Sequence, residues 1–91
     1  MDELLVECRE VAGEERGLRC RYSVLVDTLP VGRFFCEQYG VKIEEEGGEE
    51  VSFSGLTFSA AEIDELIEKL IRYRVTPTGL PDVLCDWKKR K

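Results

Sequence analysis

The sequence has no histidine, and only three prolines and one tryptophan, among its 91 residues. The missing histidine removes the commonest general base near neutral pH and the commonest metal ligand. A Ser or Cys nucleophile is left without its usual activating partner. No phosphate-cradling glycine loop and no motif-placed carboxylate pair takes its place. The chain is therefore expected not to be an enzyme and to need no cofactor. The four cysteines, Cys8, Cys20, Cys36 and Cys85, form no C-x-x-C pair, so no structural zinc site is expected. No run of about 18 apolar residues occurs, and with it goes the expectation of a membrane-spanning helix or a membrane partner. The opening Met1-Asp2-Glu3-Leu4-Leu5 is acidic where a secretory signal is basic and then apolar. The expected location is the cytoplasm, with mostly buried, reduced thiols. Positive charge is also scarce: 13 Lys and Arg stand against 19 Asp and Glu, a net charge of −6. Nucleic acid is not an expected partner, because phosphate binding draws on a positive surface.

What is present describes one folded domain, residues 1–91. The first two thirds (1–58) read as a sheet region. A strand over 3–11 is expected from the alternation of Leu4, Val6 and Cys8 with Leu5, Glu7 and Arg9. Residues 12–17 form a polar loop with two glycines. The clearest period-2 signal follows: Leu18, Cys20, Tyr22, Val24 and Val26 alternate with Arg19, Arg21, Ser23, Leu25 and Asp27. Leu29-Pro30-Val31-Gly32 is expected to break that strand and turn the chain. A third strand around 33–45 carries Phe35, Tyr39, Val41 and Ile43 in one phase, with Gly40 marking a bulge or a close backbone approach. Gly47-Gly48 supplies a hairpin turn, and Val51 and Phe53 continue into a fourth strand. Short connections favour an antiparallel meander.

Helical patterning takes over at Ser59. Ser59-Ala60-Ala61-Glu62 is a capping box. Ile63, Leu66, Ile67, Leu70 and Ile71 line one face of a helix over 59–74, supported by Glu65/Lys69 and Glu68/Arg72 pairs. Val75-Thr76-Pro77-Thr78-Gly79 ends it. Leu80, Val83, Leu84 and Trp87 mark a shorter helix over 80–89, followed by a tail, 90–91. Neither helix would persist alone, so both must bury their stripes on the sheet. The expected fold is α+β: an antiparallel sheet of about four strands with two C-terminal helices packed on one face.

The segment Arg74-Val75-Thr76-Pro77, followed by Leu80-x-Asp82-Val83-Leu84-x-Asp86-Trp87 and preceded by Tyr39-Gly40-Val41-x-Ile43-Glu44, resembles a family of short proteins from low-GC Gram-positive bacteria. That family is a domain of unknown function. The Val-Thr-Pro to Asp-Trp stretch is the specific part. Gly79 and Pro81 depart from the Thr cap and charged residue of the pattern, which bears only on how the second helix starts. The resemblance implies a bacterial cytoplasmic origin, and it implies no activity and no site residues.

Several features invite a functional reading. The five glutamates of 44–50 suggest an acidic surface, but they lack the order of a calcium loop. Such a run ordinarily decorates a solvated hairpin tip. The basic tail suits a helix C-terminus. Trp87 shares its phase with core residues, which points to burial rather than an exposed anchor. Cys8 and Cys20 share the apolar phase of neighbouring strands, a phase compatible with their lying opposite one another, and are expected to be packing residues. The sheet face turned away from the helices is expected to carry Arg9, Arg19, Arg21, Glu37 and Lys42 as an interaction surface. The function expected from these parts is a small non-catalytic module that binds another protein or a second copy of itself. The alternatives are an acidic regulator that mimics nucleic acid and a small-molecule binder with its pocket between sheet and helices.

Overall fold

The computed structural model describes the backbone of residues 2–11 and 18–89 and the side chains of 19–89. The expected loop at 12–17 and the tail at 90–91 lie outside the described residues. The elements run β1 (Asp2–Val11), β2 (Leu18–Val31), β3 (Phe34–Glu45), β4 (Glu50–Thr57), α1 (Ala60–Arg72) and α2 (Leu80–Lys89). The fold is α+β. Strands β2, β3 and β4 form a three-stranded antiparallel sheet, and the backbone of β1 lies antiparallel along the free side of β2. Among the described residues, no helix is long and apolar enough to cross a membrane.

The core follows from the period-2 pattern of β2. Cys20, Tyr22, Val24 and Val26 fall on one face and are buried. Across the ladder, Tyr22 faces Ile43, Val24 faces Val41 and Val26 faces Tyr39. Helix α1 lays Ile63, Leu66, Ile67, Leu70 and Ile71 on this surface, and α2 adds Leu80 and Leu84. Each such side chain contributes about 1.5–3 kcal/mol of burial, which a 13-residue helix needs in order to persist. Tyr22 ties the layers together, its hydroxyl donating to the Val75 carbonyl oxygen at 2.8 Å.

The helix ends are capped through side chains and main chain. The Ser59 hydroxyl accepts from the Glu62 N–H at 3.2 Å, as expected. The return half of the box is relayed: the Thr57 hydroxyl accepts from the Ser59 N–H and donates to the Glu62 carboxylate. At the other end, the Val75 N–H reaches the Leu70 carbonyl and the Arg74 N–H the Ile71 carbonyl. That is a Schellman motif. Its left-handed position, normally glycine, is Arg74 at φ +51°.

Gly40 is the close approach its place in the strand suggested. The register slips between Tyr39↔Thr57 and Val41↔Phe53, so β4 bulges, with Gly55 at φ +65°. A Cβ on Gly40 would sit 2.1 Å from the Phe53 carbonyl oxygen.

Several expectations need correction. β2 does not break at Leu29-Pro30 but runs to Val31, and the turn is Gly32-Arg33. Gly32 has φ +62° and Arg33 does not share that sign, as in a type II′ hairpin. Pro30 is tolerated because the register with β1 stops at Val26, and no described strand pairs with the outer side of β2 there. The second sheet face is not uniformly open. Ser23 and Leu25 are buried on it, and Lys42, opposite Ser23, keeps only 17% of its side chain exposed. Trp87 packs against the core but is half-buried. Of the described cysteines only Cys20 is buried; Cys36 is half-buried and Cys85 exposed. The Cys8 side chain lies outside the described residues. Its backbone faces Arg21, not Cys20, because the β1–β2 register shifts between Leu5 and Glu7.

Candidate functional site

Three of the five residues expected on the open sheet face come together. Arg19, Arg21 and Lys42 share it, since Arg21 faces Glu44 and Ser23 faces Lys42. Arg21 pairs with Glu44 at 3.8 Å and Lys42 with Glu50 at 3.7 Å. An open cleft of about 430 Å³ lies beside Arg19, Arg21, Glu44, Glu45, Glu46 and Gly47. Three carboxylates stand beside two guanidinium groups there, which leaves the cleft with a net negative charge. The Arg21–Glu44 pair is solvent-exposed and worth at most about 1 kcal/mol, whereas Lys42 is largely covered. Glu37 is not on this face: it pairs with Thr28 and shares the phase of Tyr39, Val41 and Ile43, which the alternation of β3 already implied. The side chain of Arg9 lies outside the described residues; its backbone stands opposite Cys20.

A second surface draws on residues that sequence reasoning had assigned to a turn and a strand interior. The β1 register ends at Val26 and the β4 register at Tyr39. Beyond those points β2 and β3 continue together as a two-stranded arm, 27–38, closed by Gly32-Arg33. Five residues a side at about 3.3 Å each make the arm roughly 16 Å long, which fits the elongated 53 × 27 × 18 Å shape of the molecule. Its end is apolar on both faces. Val31 pairs with Phe34 and Leu29 with Cys36 on one face, and Pro30 pairs with Phe35 on the other. Phe34 is 76% exposed and Phe35 73%. Phe58, just past the end of β4, is exposed as well.

The signal for this surface was present as Phe34-Phe35. Adjacent aromatics in a strand point to opposite faces, and a sheet covered on one side can bury only one of them. A family model covers residues 1–90. The chain belongs to DUF6514, a family of unknown function. No curated protein and no solved structure matches it. For a DUF6514 protein the chemistry of the surface itself is then the guide, and the apolar arm is its most distinctive part. Among the described residues, no cluster of three or more His, Cys, Asp or Glu is placed to hold a metal ion.

Proposed function

We propose that this DUF6514 protein is a small non-catalytic protein-binding module whose contact element is the β2–β3 arm. One observation carries the reading: Phe34 and Phe35 stand more than 70% exposed at the end of an arm that neither β1 nor β4 flanks. Exposed aromatic clusters on small soluble domains mark interaction sites, and aromatic anchors dominate binding energy when a partner covers them. The reading takes the whole sheet as four-stranded, with β1 as the edge beside the first half of β2. It takes the working compartment as the bacterial cytoplasm, where an exposed thiol such as Cys85 stays reduced.

The acidic-mimic alternative has less support, because two of the five glutamates, Glu44 and Glu50, are paired with Arg21 and Lys42. A ligand between sheet and helices also has less, because Tyr22, Ile43, Leu66, Leu70 and Leu80 fill that space. The test compares the tagged wild type with a Phe34→Ser/Phe35→Ser variant in nuclease-treated native lysate under reducing conditions. A stoichiometric protein kept by the wild type and lost by the variant supports the arm as the contact. Identical captures by both proteins would remove it.

A further inference from the structure

The arm has two edges, and they differ. On β2 the outer edge carries Pro30, which lacks an N–H and blunts strand addition. On β3 the outer edge, residues 34–38, carries no proline. The β4 edge is interrupted by the bulge at Gly55, which discourages pairing there.

The direction of the β3 main chain along the arm can be followed from the hairpin. The Glu45 N–H donates to the Glu49 carbonyl across the β3–β4 connection at 2.8 Å. Odd-numbered residues of β3 therefore turn their main-chain polar groups toward the β4 side. The β2–β3 register runs without a shift from Cys20↔Glu45 to Val31↔Phe34, so the alternation reaches Glu37 and Phe35. The β4 register has stopped by then. Phe35 and Glu37 thus present outward N–H and C=O groups at an edge that no described strand continues.

We infer that the occupant of this edge is a second copy of the same chain, paired antiparallel through residues 34–38 about a twofold axis at Cys36. The inference rests on the arm being the contact element. The edge itself selects the register. With the axis at Cys36, Phe35 of each copy exchanges both main-chain bonds with Glu37 of the other, and the whole edge is used. An axis at Phe35 would ask Glu37 to pair with a turn residue, and an axis at Glu37 would set two like charges face to face. Charge agrees: Arg33 of each copy stands diagonal to Glu37 of the other, within reach of a cross-strand ion pair. Each arm tip ends beside Phe58 of the other copy, because β4 stops opposite Tyr39. Phe34, Phe35 and Phe58 from both copies, 64–76% exposed and roughly 150–250 Å² each, offer at most on the order of 1,000 Å². That is the lower limit for a specific interface and describes a weak, concentration-dependent dimer.

Sedimentation velocity from about 1 to about 200 µM should show monomer passing to dimer. Glu37→Pro removes an outward N–H without touching the β2–β3 ladder, so it should keep the circular dichroism of the wild type and weaken the dimer at least about tenfold. Cys36 and its copy form a non-hydrogen-bonded pair, whose close side chains admit a disulfide. Diamide should therefore cross-link the wild type, its two thiols giving up two protons and two electrons as diamide is reduced to the hydrazine. Cys85→Ser should still cross-link, whereas Cys36→Ser should not, though it should still dimerise. A wild type that stays monomeric throughout, or a dimer indifferent to Glu37→Pro, overturns the inference. A monomer whose Phe34→Ser/Phe35→Ser variant still loses a heterologous partner would overturn self-pairing and leave the arm as the contact element.

Discussion

Replacing Gly40 by alanine tests the β3–β4 packing most directly. The added Cβ would lie 2.1 Å from the Phe53 carbonyl oxygen and 2.6 Å from the Ser54 Cα, far inside a normal contact of about 3.5 Å. Both obstacles are main chain and cannot rotate away, so β3 and β4 must part by about 1 Å. Overpacking of this kind costs about 1–3 kcal/mol. The parting also stretches at least one ladder hydrogen bond, worth about 1 kcal/mol. The expected loss is about 3 kcal/mol, a large share of the roughly 5–10 kcal/mol available to a domain this small. In a thermal melt that is a fall of about 12–24 °C, taking about 4–8 °C per kcal/mol. Two other glycines calibrate the result. Gly47 has φ +75° and nothing near its missing Cβ, so Gly47→Ala should cost only the about 1–2 kcal/mol of a left-handed alanine. Gly79 meets nothing closer than 3.8 Å, so Gly79→Ala should be neutral or gain about 0.4–1 kcal/mol. Urea melts of the three variants order them. If Gly40→Ala costs no more than Gly47→Ala, the steric argument for the bulge is wrong.

Two further substitutions probe the capping of α1 and its tie to the sheet. Arg74 holds the left-handed position of the Schellman motif, so Arg74→Gly should stabilise by about 0.5–1 kcal/mol and raise the melting temperature by several degrees; a loss of stability would mean that the Arg74 side chain makes a contribution larger than its backbone cost. Tyr22→Phe removes the donor to the Val75 carbonyl and should cost about 1 kcal/mol in urea unfolding, whereas an unchanged midpoint would show that the bond adds nothing to stability.

Much of this fold was legible because one-dimensional periods report burial. The alternation in β2 placed Cys20, Tyr22, Val24 and Val26 together, and the helical spacing of α1 named all five of its buried residues. Local chemistry marked Ser59 as a cap and Gly40 as a tight point, since each depends on its own backbone. Reasoning was weaker where two strands had to be aligned. Glu37 was assigned to the arginine face although its parity with Val41 and Ile43 put it on the other. Cys8 stands opposite Arg21 rather than Cys20 through a register shift between Leu5 and Glu7, which leaves no mark in a single strand's pattern. Pro30 suggested the end of a strand because its cost depends on whether a neighbour needs its N–H, and that is a property of the partner, not of Pro30.

The sequence by itself determined the element types, the side of β2 and α1 that is buried, and the acidic net charge. These follow from side-chain period, capping chemistry and charge, which are local or additive quantities. Only the tertiary structure decided that β2 and β3 outrun their neighbours, that Arg21 and Lys42 are spent on Glu44 and Glu50, and that Phe34 and Phe35 are left in solvent. Each of these depends on where a different strand starts, stops or slips. That is settled by the packing of the whole sheet against its helices, because a one-residue change of register moves a side chain from one face to the other.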